Sequence, residues 1–474
     1  MKKLKIIIIF FSIITISYIF ISSTIVDNPR KFFFIKKIIP DKYISKIKYY
    51  IFPHSVAKFH KSQSDLYFQK MNDFELMSNE IIVDHDLLIK NNLMDFVFLK
   101  NSEKKISENL YLEIFSLKEN KFQRGVALMR PGSAYIDFYK GYVFIASTIG
   151  IIGFAVPENG RFYFKQIKNN IDSFLKVKNF KKDRRIGIKD IKIFNDTIFV
   201  SYLNELSKDC WNTSVLKAKL NLKELIFEKF FEPKDCVNEF DDEFKNSNDI
   251  ITFSQTGGRI TKFGENYILL TTGEFRLREG AQKKNSSFGK ILKINLKNSD
   301  FRVISMGHRN PQGLYFDKDN NYILSSEHGA WGGDEINLIK INEKEIQNFG
   351  WAQASYSEHY CGGKDGCLRN AYKKYPLLKS HKENGYIEPI KHFTPSVGPS
   401  EIIKIKKKTY ILSTMKDKSI FIFNLNDKNE IRSIERIPIG ERIRDMFFNN
   451  ETKEIYLSLE NSTSLGIINL SSMQ

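Results

Sequence analysis

The chain has 474 residues, 42% of them hydrophobic, including 40 Phe and 21 Tyr, which excludes a disordered polymer and allows one to three globular domains. The formal net charge of +18 comes from lysines spread along the whole sequence rather than gathered in a patch. Nucleic acid is therefore not expected as a partner.

The predicted elements begin at the N-terminus. Lys2, Lys3 and Lys5 precede an apolar run, residues 6–26, with no charge, Gly or Pro. About twenty residues at ~1.5 Å rise cross a ~30 Å hydrocarbon core. No Ala-x-Ala-like site follows, so residues 1–26 are expected to form an uncleaved transmembrane signal anchor, with a cleaved signal peptide as the competing reading. Residues 27–119 read as a juxtamembrane and accessory region.

Four cysteines suit two disulfides, Cys210–Cys236 and Cys361–Cys367, and hence an oxidising compartment. A zinc site is the alternative, but neither Cys-x-x-Cys nor a suitable His spacing is present. The body of the protein is thus expected outside the cytoplasm, on the periplasmic side of the cell membrane.

Six octapeptides then share one pattern, apolar or aromatic residues ending in small or polar ones: 143–150, 198–205, 267–274, 322–329, 410–417 and 455–462. β-Branched and aromatic enrichment predicts strands, and the polar turns before most of them predict hairpins. Their starts are 55, 69, 55, 88 and 45 residues apart. A four-stranded blade needs about 40–50 residues, so the expected fold is all-β, a six-bladed β-propeller over residues 120–474. Unrelated strands of a β-sandwich are the alternative.

One stretch stands out, residues 307–360. It holds the loop GHRNPQG (307–313), a strand ending in EHG (327–329), the turn GGDEIN (332–337) and the segment NFGW (348–351). Loops that combine Arg, His, Asn, Gly and carboxylates bind ligands more often than they merely turn the chain. These motifs resemble the soluble glucose/sorbosone dehydrogenases, six-bladed propellers that use pyrroloquinoline quinone (PQQ) and calcium to oxidise sugars. The resemblance runs from about residue 120 to the C-terminus.

It implies roles residue by residue. Arg309 and Asn310 match the pair that contacts the quinone oxygens, Lys416 matches a cofactor-contacting lysine, and Arg442 with Arg444 matches a pair facing the cofactor's carboxylates. Alternation along a strand puts both of these arginines on one side. Gly329 and Ala330 match backbone carbonyl ligands of the cofactor-bound calcium, although the family usually has proline at the second position. Asp334 and Glu335 match a second calcium site, with a capped turn as the plain alternative. Tyr356, Glu358, His359 and Tyr360 fall where the family places aromatic residues above the quinone.

One departure concerns the chemistry. The family's catalytic histidine falls at Gln255, a neutral amide that cannot take a proton, while Glu274 stands where an orienting carboxylate is expected. The expected function is a membrane-anchored, extracytoplasmic quinoprotein-type aldose dehydrogenase acting on a sugar or polyol, with activity lowered by Gln255. A base would come from Glu274 or from a histidine such as His328. The alternative is a non-catalytic propeller that binds a carbohydrate or a protein.

Overall fold

The computed structural model describes residues 95–117, 133–158, 160–175, 185–238, 253, 255–341, 344–359 and 372–471. The predicted anchor at 1–26, the chain up to residue 94 and the Cys361–Cys367 pair lie outside the described residues. Among the described residues no helix is long and apolar enough to cross a membrane.

The fold is all-β. Among the described residues helix is limited to Arg278–Gln282, residues 372–374 and the single turns Ile171–Ser173 and Lys382–Asn384. Each octapeptide forms the second strand of an antiparallel sheet: Tyr142–Ser147, Thr197–Ser207, Tyr267–Thr272, Tyr322–Glu327, Thr409–Thr414 and Glu454–Leu459. These strands are buried almost throughout because sheets pack on both of their faces, which is why they read as continuous apolar runs. Tight turns precede them. Lys140-Gly141 and Asn195-Asp196 both carry positive φ, as two-residue hairpin turns require.

The first strands, Ala134–Tyr139, Ile188–Phe194, Gly257–Phe263, Pro311–Asp317, Pro399–Lys406 and Ile443–Asn449, each contact the next, and the last contacts the first. The result is a propeller-like ring of sheets around a central channel. Aliphatic side chains fill the space between neighbouring sheets. Ile411, Ile420 and Ile422 meet Ile455, Leu457 and Ile468 across one such gap, and Leu324 and Leu338 meet Leu412 and Phe421 across another.

Lining a channel leaves the edge N–H groups of the first strands without sheet partners. Carboxylates from neighbouring sheets supply them. Asp445 accepts from the Ile136 N–H at 2.8 Å, Asp137 from Ile193 at 2.7 Å, Asp190 from Ile260 at 2.7 Å and Glu401 from Leu314 at 3.0 Å. The ring is laced together by acids.

One expectation is corrected. Asp95–Lys105 and Tyr111–Leu117 form a hairpin that pairs with Arg161–Gln166 on one side and Ser464–Asn469 on the other, joining the first and last sheets into one of nine strands. The sheet structure therefore starts before residue 120. Exposed ion pairs from Lys100 to Glu103 and Glu113 obscured the strand pattern in the sequence, while Phe98, Leu112 and Phe115 are buried.

The Cys210–Cys236 disulfide is present, with Cα atoms 5.4 Å apart. Those cysteines sit on either side of the short pairing of Trp211 with Val237, which brings them within bonding reach.

Candidate active site

Where the first strands begin and the second strands end, one mouth of the channel opens into a cavity of about 640 Å³. Ten residues singled out in the sequence line it: Gln255, Arg309, Asn310, His328, Gly329, Ala330, Asp334, Lys416, Arg442 and Arg444. They come from separate sheets and meet only because the ring closes. Glu274 lies directly behind the lining, and Glu335 is buried away from it.

Gln255 sits against Gly273, where a Cβ would lie 2.1 Å from the Gln255 carbonyl oxygen. That close approach places the Gln255 side chain between two charged groups. With its amide oriented to satisfy both, it donates to Glu274 Oε1 at 2.5 Å and accepts from Arg309 Nη2 at 2.5 Å. Glu274 is 1% exposed. Burial pushes its pKa up, with Arg309 and Arg278 pulling the other way. Glu274, expected to orient an imidazole, is thus hydrogen-bonded to the Gln255 amide instead.

Arg309 is fixed at its backbone and at its head. Its N–H donates to Glu327 Oε2 at 2.6 Å, and Glu327 is itself gripped by His308 Nδ1 at 2.9 Å and by Asn337 Nδ2 at 2.7 Å. Its Nη1 donates to the carbonyls of His328 and Gly329 at 2.9 and 2.6 Å. Asn310 accepts through Oδ1 from the Gly257 N–H and from Gln312 Nε2.

Arg442 and Arg444 do lie on one side of their strand, and both reach Glu460. Arg442 Nε donates to Glu460 Oε2 at 2.6 Å, and Arg444 donates through Nε at 2.9 Å and through Nη2. Ser133 Oγ adds a bond to the same carboxylate. Sequence reasoning missed Glu460. It directly follows the strand of the sixth octapeptide, as Lys416 follows the fifth by two residues, so strand-end position was the available signal. Lys416 is exposed into the cavity; its backbone N–H donates to the Val397 carbonyl at 3.0 Å, while its ammonium makes no hydrogen bond or ion pair among the described residues.

His328 also lines the cavity, half-buried. Its Nε2 meets the Pro399 carbonyl at 2.7 Å, which assigns the proton to Nε2 and leaves Nδ1 as an acceptor with no partner among the described residues. Burial lowers its pKa, so the neutral imidazole is favoured near pH 7. Tyr356 and His359 of the long insert are elsewhere, and Tyr360 lies outside the described residues. Tyr356 stacks on His392 with centroids 3.9 Å apart, and His359 Nε2 bonds the Tyr375 carbonyl.

The charge balance of the cavity is cationic: Arg185, Lys189, Arg309, Lys416, Arg442 and Arg444 against Asp334 and Glu460. Asp334 is fully engaged by backbone, accepting from the N–H groups of Gly329, Val397 and Gly398 at 2.9, 2.7 and 2.7 Å. Glu335 has its pKa pushed well up by burial and by neighbouring Glu327. These two residues do not fit a calcium cage. Asp334 acts as a turn cap, and the Gly329 carbonyl is held by the Arg309 guanidinium. Among the described residues no group of three or more His, Cys, Asp or Glu is placed to hold a metal ion.

The sequence profile of the Glucose / Sorbosone dehydrogenase family matches residues 165–466, more than half of the chain. The chain belongs to that family. Among curated relatives, the aldose sugar dehydrogenase YliI of Escherichia coli is 26% identical over 232 residues, 44% of this chain and 58% of the relative. An uncharacterised protein of Synechocystis, slr1608, is 29% identical over 194 residues, 37% of this chain and 43% of the relative. The chain thus spans about half the length of the curated relatives it matches. Solved structures agree in fold. The apo-form of the soluble aldose sugar dehydrogenase from E. coli superposes with a TM-score of 0.56 at 19% identity, covering 76% of this chain and 98% of that one. The PQQ-bound form of an aldose sugar dehydrogenase from Streptomyces coelicolor gives 0.52 at 15% identity, covering 71% and 94%. Within this member of the family, the profile match spans all eleven predicted site residues and Glu460.

Proposed function

We propose that this chain is a six-bladed, quinoprotein-type aldose dehydrogenase, held at the membrane by residues 1–26 with its propeller on the extracytoplasmic side. The observation that carries the reading is the cationic cavity at the strand ends. PQQ is a planar tricarboxylate quinone, and the cavity offers Lys416, Arg442 and Arg444 to carboxylates and Arg309 with Asn310 to quinone oxygens. The Cys210–Cys236 disulfide supports an oxidising compartment, and the ring of six first strands supports six blades.

PQQ, when bound, supplies the acceptor for the hydride of the sugar's anomeric carbon. This chain's residues have to bind the sugar and take the proton of its anomeric hydroxyl. Gln255 cannot take it, and Glu274 faces Gln255 rather than the cavity. His328 lines the cavity with an unprotonated Nδ1, which makes it the better-placed base. No step is assigned to calcium.

The experiment uses the purified full chain. PQQ is added, free cofactor is removed by gel filtration, and retained absorbance is measured. An aldose is then added and bleaching of the bound quinone is followed in wild type, Gln255→His and His328→Gln. Retained PQQ with slow reduction is expected in the wild type. Gln255→His should be faster by up to about 10²–10⁴-fold, the usual contribution of a positioned base, because Glu274 already stands behind it. Loss of the residual reduction in His328→Gln would assign that residue. Bound PQQ with no reduction in any variant would point to a binding module, and no bound PQQ would overturn the quinoprotein reading.

A further inference from the structure

Of the chain's three tryptophans, Trp211 is 0% exposed, Trp351 is 5% exposed and Trp331 is 62% exposed. Trp331 lies at the rim of the cationic cavity. An indole left in water has a cost, and here the backbone under it is fixed. Trp331 exchanges two hydrogen bonds with Glu358, N–H to carbonyl in both directions at 3.0 Å. The next two residues are tied by Gly332 N–H to Ser396 Oγ at 3.1 Å and Gly333 N–H to Thr394 Oγ1 at 3.2 Å. The indole makes no ring contact with another aromatic side chain among the described residues, and no other large apolar side chain of the cavity lining is exposed with it. A lone indole on a rigid rim is not the broad apolar patch that a protein partner would need.

Depth in the cavity orders the groups. Arg309 and Asn310 at the floor are 4% and 3% exposed, so they meet whatever enters first. The indole meets whatever enters last. On the quinoprotein reading, on which this inference rests, the last to enter is the sugar. A pyranose is two-sided, with a face of C–H groups and a rim of hydroxyls. An indole covers the first, and the polar cavity wall answers the second.

We propose that Trp331 is the stacking wall for the pyranose ring of the substrate and selects cyclic aldoses over open-chain polyols. As the exposed indole among three, it also reports its own occupancy. The test is acrylamide quenching of tryptophan fluorescence in the full-length protein, titrated with D-glucose, with sorbitol as the open-chain control. Calorimetric titration of the same samples runs beside it. Glucose should shift emission to the blue and shield the accessible fluorescence, and sorbitol should do neither. Trp331→Phe should abolish the signal and keep most of the affinity. Trp331→Ala should weaken glucose binding by roughly five- to ten-fold, as expected for uncovering one apolar ring face. Glucose binding seen by calorimetry with unchanged quenching, or undiminished in Trp331→Ala, would overturn the role of Trp331 and leave the sugar reading standing. No glucose binding by either method, with PQQ present or absent, would overturn both.

Discussion

Two cavities among the described residues of the channel differ in size and, more tellingly, in charge. The second, about 880 Å³, is the larger, and Asp137, Asp190, Asp319, Glu401 and Asp445 face Lys192, Lys404, Lys406 and Lys407 there. Its charges are largely matched on the spot. Lys192 meets Asp137 at 2.6 Å, and Lys404 meets Asp317 and Asp319 at 3.0 and 2.7 Å. The first cavity keeps a surplus of cations, including Lys416 with no charge partner among the described residues. A surplus of cations in a cavity favours an anionic occupant, which is what the proposed function places in the smaller one.

Two buried arginines carry the same lesson. Arg259 is surrounded by Asp445 at 2.6 Å and by Asp190 and Glu401 at 3.2 Å, and stacks on Tyr135. Arg309 instead points its guanidinium at carbonyls and the Gln255 amide. Arg259 therefore serves the fold, whereas Arg309, which lines the first cavity, is the arginine the proposed function assigns to a ligand. Arg259→Leu should break this contrast most sharply, because it strands three carboxylates in the ring. A loss of about 3–5 kcal/mol in urea unfolding is expected, the usual cost of breaking a buried ion pair. Arg309→Leu should cost much less stability and should abolish PQQ retention. Equal destabilisation by the two would remove the distinction.

The next effect is smaller and concerns Glu460, which is 0% exposed. Arg442→Ala with Arg444→Ala removes two charge-assisted partners, each worth about 1.5–3 kcal/mol. It also leaves Glu460 buried and unpaired, so stability and quinone binding should fall together. Adding Glu460→Gln should restore the melting temperature without restoring binding. Quinone binding that returned along with stability would show that the arginines only neutralise Glu460.

How much of this was legible in the sequence follows from the range of each interaction. The six octapeptides were legible because burial on both faces writes a local apolar run. Arg309, Asn310, Lys416, Arg442 and Arg444 were legible through the family motifs and meet in one cavity. The acid lacing was not legible. Asp445 caps Ile136 from 309 residues away, and an isolated Asp in a strand carries no local mark of such a partner. Glu460 was missed for the same reason, since it pairs with residues 16 and 18 positions earlier on a different strand. The expected acidic calcium site failed because Asp334 and Glu335 are adjacent in sequence but point to different surroundings, as alternation along a strand dictates.

The smallest predicted effect sharpens the account of the Arg259 cluster through pH. Three carboxylates around one guanidinium cannot all stay ionised cheaply. Burial pushes the Glu401 pKa up to about 7, opposed by Arg259 and reinforced by Asp445, and Asp190 and Asp445 are shifted in the same direction. For Glu401 the folded state thus holds a proton that the unfolded chain has already released above its ordinary value of 4.5. Between about pH 4.5 and about pH 7 the unfolded state binds fewer protons, so stability falls as pH rises, then levels off. One proton gives at most about 1.4 kcal/mol per pH unit, and coupling to Asp190 and Asp445 spreads the change over a wider range. Urea unfolding at intervals from pH 5 to pH 8 should therefore show a shallower decline for Glu401→Gln than for wild type, with the two curves furthest apart near neutrality. Parallel curves would mean that Glu401 is ionised throughout, and that Arg259 with Lys192 balances all three acids.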